Sequence, residues 1–153
     1  MIDKKGITVE DLRAVYNRVM KFKYPMLENL LKNKEEKMKV NIEIAKIAHQ
    51  ANRDYCIKNQ LVTPPKWDDL PEDIQTSIVA GVELVVSSPK ITPGMLHQSW
   101  VDYKVKEGWK LGKEKDFDRK IHPNLVPYKK LPKVEQEKDR LFLRIVRGQI
   151  KSN

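Results

Sequence analysis

The sequence predicts a mainly α-helical fold: a compact helical domain with a short β-hairpin or ordered loop, preceded by an N-terminal helical extension. Three observations point there. Apolar residues recur at three- and four-residue spacing along most of the chain, the period of a helix with one buried face. Proline stands at the start of several such stretches, in Leu70-Pro71, Thr92-Pro93 and Leu131-Pro132, where its missing N–H leaves no helical hydrogen bond unmade. The long stretch without a helical period, residues 109–128, holds Pro123 and Pro127 and reads as an ordered loop or hairpin.

Each element follows in order. Thr8 precedes a stripe of Val9, Leu12, Tyr16, Val19 and Met20, and Thr8 with Asp11 forms a capping arrangement with a short acid, so residues 9–23 are expected to be an amphipathic helix ended by Pro25. Met26, Leu27, Leu30 and Leu31 open a second apolar face before the charged run 32–37, which makes the first forty residues a helical pair. Short helices are marginal alone, so these stripes need a partner surface, either their own domain or a second copy of the chain. From Val40 to about Asn59 a new helix carries Ile44, Ile47, Ala48, Ala51 and Tyr55, closing before Thr63-Pro64-Pro65. Pro71 starts the next, through Ile74, Ile78, Val82 and Val85 to Ser87-Ser88-Pro89. Thr92 caps a short helix whose face is Leu96, Trp100 and Tyr103, a spacing that places Trp100 in the core, and Gly108 ends it. The last helix runs through Val134, Leu141, Ile145 and Val146 to Gly148.

These 153 residues suffice for one domain and an extension, divided as 1–40 and 41–150. With 40% hydrophobic and 33% charged residues, the chain is polar but able to bury a core. Its longest apolar run, residues 78–86, is interrupted by Glu83 and falls well short of the roughly 20 residues of a membrane helix. The N-terminus has charges but no apolar segment of a signal peptide, so a soluble cytoplasmic protein is expected. The single cysteine, Cys56, has no disulfide partner and is expected to be a small buried hydrophobe. A net charge of +9 is concentrated in residues 100–153, which hold 15 Lys and Arg against 8 Asp and Glu, a surface suited to an anionic partner.

One ordered set of residues is more specific. His97-Gln98-Ser99-Trp100, Gly108-Trp109-Lys110-Leu111-Gly112, Asp116, and His122-Pro123-Asn124-Leu125-Val126-Pro127-Tyr128 together resemble the RyR domain, the repeat unit of ryanodine receptors. Upstream, Ala48-His49-Gln50-Ala51-Asn52-Arg53, Pro65, Trp67 and Ala80-Gly81-Val82-Glu83 are similar to its single-copy form in bacteria and their phages, so the resemblance spans about residues 41–150. It implies a small helical domain with a short hairpin, paired about a pseudo-twofold where two repeats lie in tandem. A single repeat implies a homodimer instead.

The resemblance also implies a site for nucleotide-type ligands at the Gly-Trp loop. It assigns Trp109 the aromatic face, with Lys104, Lys115, Arg119 and Lys120 as candidate phosphate contacts and His122 beside them. Leu111 stands where the family commonly has an aromatic, which removes one expected wall. His122 and His97 are equally placed to fix their segments through backbone hydrogen bonds, and His49 and Asn52, one turn apart, to do so or to meet a ligand. No nucleophile, phosphate-loop or metal motif is present, so neither enzyme activity nor a metal or other cofactor is expected. The function expected is non-catalytic binding or sensing of a nucleotide-like or other small phosphorylated ligand. The alternative is an interaction or scaffolding protein whose basic C-terminal surface meets nucleic acid, the less favoured partner, or another protein.

Overall fold

The computed structural model describes residues 8–23 and 25–152. The chain divides into two units, Met1–Val40 and Asn41–Asn153. In the first, α1 (Val9–Lys23) begins with the anticipated reciprocal cap: the Asp11 N–H donates to Thr8 Oγ1 at 3.1 Å and the Thr8 N–H to Asp11 Oδ2 at 2.9 Å. Val9, Leu12 and Tyr16 of the expected stripe are exposed, while the side chains of Val19, Met20, Met26 and Leu27 lie outside the described residues.

The helix that follows corrects one expectation. Instead of separate helices on either side of the charged run, α2 is continuous over Pro25–Lys58. Residues 26–58 contain neither glycine nor proline, and the Lys and Glu of the run are strong helix formers, so polarity alone does not break it. Among its described side chains, the buried ones are Ile44, Ala45, Ala48 and His49 and the fully buried Cys56. The helix ends in a Schellman motif: the Leu61 N–H donates to Cys56 O at 2.9 Å and the Gln60 N–H to Ile57 O at 3.2 Å, with Gln60 at φ 56°.

Three more helices complete the second unit: α3 (Glu72–Ser87), α4 (Pro93–Lys106) and α5 (Lys133–Ser152). Pro71 sits just ahead of α3 rather than in its first turn, a one-residue difference. Thr92 caps α4 by accepting the Met95 N–H at 3.2 Å, with Pro93 at the first helical position. The core joins Ile44, Ala45 and Ala48 of α2 to Val82 and Val85, Ile91, Leu96, and Leu143 and Val146 of α5. Gly148 does not end α5 as expected. The helix runs on to Ser152, because an isolated glycine weakens a helix by about 1 kcal/mol without terminating it.

The expected hairpin takes a different form. Strands β1 (Lys110–Leu111) and β2 (Ile121–His122) pair parallel, Lys110 opposite Ile121 and Leu111 opposite His122. The antiparallel closure lies inside their connection, where Asp116 and Ile121 exchange backbone hydrogen bonds of 2.9 and 2.8 Å around a turn with Lys120 at φ 52°. A Cβ at Gly112 would run into Ile121, so the close approach of the two strands requires glycine there.

Candidate functional site

Beyond its cap, α4 carries His97, Trp100 and Lys104 at spacings of three and four residues, so all three share one face. The end of the helix then folds back on that face. Gly108, at φ 88°, sits in a second Schellman motif, in which the Trp109 N–H donates to Lys104 O at 2.9 Å and the Gly108 N–H to Val105 O at 3.0 Å. This brings the residue just past the turn against the one a turn before it. The Lys104 ammonium consequently lies 4.9 Å from the centre of the Trp109 ring and 5.9 Å from that of Tyr103.

Lys104 is only 5% exposed, and among the described residues no carboxylate lies within ion-pairing distance of it. Burial holds its pKa below the ordinary lysine range, with Lys120 acting in the same direction and Asp73 and Glu107 opposing. The sequence expectation made Trp109 an open platform for a ring. It is instead 7% exposed: Lys104 covers its face, and Phe117 meets it edge-on at 5.9 Å. Trp100, expected in the core, is only partly buried and forms part of the cleft wall, 5.0 Å from His122 in a T-shaped contact.

The cleft has a volume of about 560 Å³ and is lined from α2, α3, α4, the loop and α5, which is within the usual range for small-molecule sites. Four candidates from the sequence line it: Lys104, Trp109, Lys115 and His122. Arg119 and Lys120 do not. Arg119 is exposed and pairs with Asp116 at 3.8 Å, while Lys120 donates from Nζ to Glu107 O at 2.8 Å. Their place in the turn that closes on Asp116 separates them from Lys115, a distinction that sequence proximity does not make.

The charges in the cleft perturb one another. The Lys115 ammonium lies 4.6 Å from the Phe117 ring centre, and its pKa is lowered by desolvation first and then by Lys104 and Lys138. His122 accepts the Asn124 N–H at Nδ1, 3.1 Å away, so its proton is assigned to Nε2. Burial, followed by Lys115 and Lys104, pushes its pKa down to about 4, leaving a neutral ring at physiological pH. His97 donates from Nε2 to Val126 O at 2.8 Å, and its Nδ1 lies 3.6 Å from Asp139 Oδ2. Both histidines thus hold the loop through backbone hydrogen bonds.

Sequence reasoning did not single out Phe117, Glu135, Lys138 or Asp139, all of which line the cleft. Phe117 supplies the aromatic contact to Trp109, whereas Leu111 is exposed and lies away from the site. Lys138 pairs with Glu135 at 3.0 Å, and Glu135 also accepts the Asn124 side-chain N–H at 2.9 Å. Burial first, and then Glu135, pushes the Asp139 carboxyl up to about 7. A signal for the α5 group exists in the sequence: 135, 138, 139 and 142 lie on one helical face, charge where an amphipathic helix turns inward. Among the described residues, no group of three His, Cys, Asp or Glu side chains is arranged to hold a metal ion, and no helix is long and apolar enough to cross a membrane.

Comparison with known families places this geometry. Residues 87–147 match the family model of the RyR domain, a span that takes in α4, both strands and most of α5. The likeness to the RyR domain is confined to that segment, less than half of the chain. No curated protein matches it.

Proposed function

We propose that this protein binds, without catalysing a reaction, a small nucleotide-like or otherwise phosphorylated ligand in the cleft between α4, the loop and α5. One observation carries the reading: the Lys104 side chain is buried against Trp109 with no carboxylate paired to it among the described residues. A largely buried lysine whose ammonium faces aromatic rings and no carboxylate is only partly compensated, and an incoming anion turns that shortfall into binding free energy. Much of the desolvation has already taken place, so the ammonium is preorganised. Lys115 adds a second positive charge, and the Nε2–H of neutral His122 offers a donor that does not depend on pH near neutrality. Trp100 and Phe117 supply the apolar walls for a flat ring.

The test is calorimetry and thermal unfolding of the whole protein with nucleoside mono- and diphosphates, cyclic nucleotides and sugar phosphates. A ligand at a hundredfold its Kd stabilises by about 2.7 kcal/mol. The expected result is a clear rise in Tm that disappears in Lys104→Met and responds mildly to salt. Absence of binding by every compound overturns the reading. Binding of nucleic acid that falls steeply with salt and survives Lys104→Met favours the scaffold alternative.

A further inference from the structure

We propose that Asn52 reads the ring of the ligand: its side-chain carboxamide meets the edge of a nitrogen heterocycle whose phosphate lies among the lysines. This deepens the proposed function and rests on it.

Asn52 lies on α2, one turn after His49, and both line the cleft. The neighbouring polar groups are already committed to structure. His49 donates from Nε2 to Pro65 O at 2.8 Å and packs edge-on to Trp67, with ring centres 6.0 Å apart. Arg53 donates to Pro64 O at 3.0 Å and to Gln50 Oε1 at 3.2 Å. Asn52 is different: its Oδ1 is buried and has no hydrogen-bond partner, which is true of no other buried side-chain polar atom among the described residues. Asparagine is also an indifferent helix former. A residue that weakens its helix and leaves a polar atom unmet contributes nothing evident to the fold, so its use lies in what enters the cleft.

The chemistry of the amide defines that partner. A carboxamide presents an acceptor and two donors in one plane, and its complement is a flat edge with an adjacent donor and acceptor, as on a nucleobase. From α3 the same cleft is lined by Ser77, Ala80 and Gly81, small residues that leave width for a ring. Lys104 and Lys115 supply positive charge elsewhere in the cleft, where Lys138 is already paired with Glu135. The ligand class is therefore a heterocycle joined to a phosphate, with Asn52 discriminating it from a phosphate lacking the ring.

The test uses the full chain and five probes: the 5′-monophosphates of adenosine, guanosine, cytidine and uridine, and ribose 5-phosphate, which has the same anionic group and no base. At least one nucleotide is expected to bind wild type tenfold or more tightly than ribose 5-phosphate does. Asn52→Leu is expected to bring the two within about twofold, leaving ribose 5-phosphate affinity unchanged, whereas Lys104→Met weakens both. Without ligand, Asn52→Leu is expected to unfold at the wild-type temperature or above it, and Asn52→Ala to show the same loss of preference.

Ribose 5-phosphate binding as well as every nucleotide, or a base preference that survives both variants, overturns the role of Asn52 while sparing the phosphate site. A marked fall in Tm in both variants assigns Asn52 to the fold and also overturns it. Failure of all five probes to bind wild type overturns the role of Asn52, and the proposed function falls with it when the diphosphates, cyclic nucleotides and other sugar phosphates fail as well.

Discussion

Two helices of this protein end in the same backbone device and put it to different use. At the end of α2, the Schellman motif joins Cys56 to Leu61 across Gln60; at the end of α4, it joins Lys104 to Trp109 across Gly108. In such motifs the residues in the positions of Cys56 and Leu61 commonly make an apolar contact that seals the helix end. In α4 those positions hold a cation and an indole, with the ammonium 4.9 Å from the ring centre. Closing a helix requires no charge there. The difference teaches that a local motif fixes where two side chains meet, while their identity decides whether the meeting serves the fold or a ligand.

The largest way to break the comparison is Trp109→Ala, which empties a site whose side chain is 7% exposed. A loss of about 3–5 kcal/mol is expected, as for other buried aromatic truncations, measured by urea unfolding. Loss of binding in this variant therefore speaks to the fold as much as to the ligand, which is why Lys104→Met is the cleaner probe. Next comes Gly108→Ala. Its φ of 88° is a left-handed conformation, and a side chain there costs about 1–2 kcal/mol, so a lower Tm and weaker ligand binding are expected together.

The matching change in α2 acts in the opposite direction. Gln60 holds φ 56° with a side chain, so Gln60→Gly is expected to stabilise by up to about 1 kcal/mol, with ligand affinity unchanged. If Gln60→Gly alters binding as much as Gly108→Ala does, the functional distinction between the two helix ends is lost.

The smallest net effect is that of pH, because two groups in the cleft oppose each other. Asp139 has its pKa raised from 3.8 to about 7, burial being the main cause, so its contribution to stability is complete below about pH 4 and is lost as pH rises through 7. His122 has its pKa lowered from 6.5 to about 4, again chiefly by burial, so its contribution is present above pH 6.5 and lost as pH falls through 4. Between these limits the slopes largely cancel. Asp139→Asn is expected to separate them: its Tm relative to wild type rises from pH 4 to 7, whereas that of His122→Gln rises toward pH 4. Profiles that stay parallel to wild type contradict both shifts.

Much of the helical fold was legible because its signals are local. Thr8 with Asp11, Thr92 with Pro93, and the stripe through Val82 and Val85 each act within a turn or two of chain. The continuity of α2 and α5 was less so, because a charged run and a lone glycine are weak breakers that a long helix overrides. In the cleft, the resemblance at the Gly-Trp pair pointed to Lys104 and Trp109, which the structure brings together. The burial of Trp109 was not, since it depends on Phe117 arriving from the loop and on Lys104 folding back over the ring. The parallel pairing of β1 and β2 and the placing of Lys138 and Asp139 depend on contacts between distant segments. Arg119 and Lys120 lie outside the cleft lining, because the turn that closes on Asp116 separates them from Lys115, which closeness along the chain does not show.

The most direct test of the account is to titrate the Lys104 side chain by NMR, with selective isotope labelling, in free protein and with the nucleoside monophosphates. The account predicts a pKa below the ordinary lysine range in free protein that moves upward as ligand saturates the cleft, since an anion beside the ammonium favours its charged form. An ordinary lysine pKa in the free protein, or one that saturating ligand leaves unmoved, contradicts the claim that Lys104 is held unpaired for an anion.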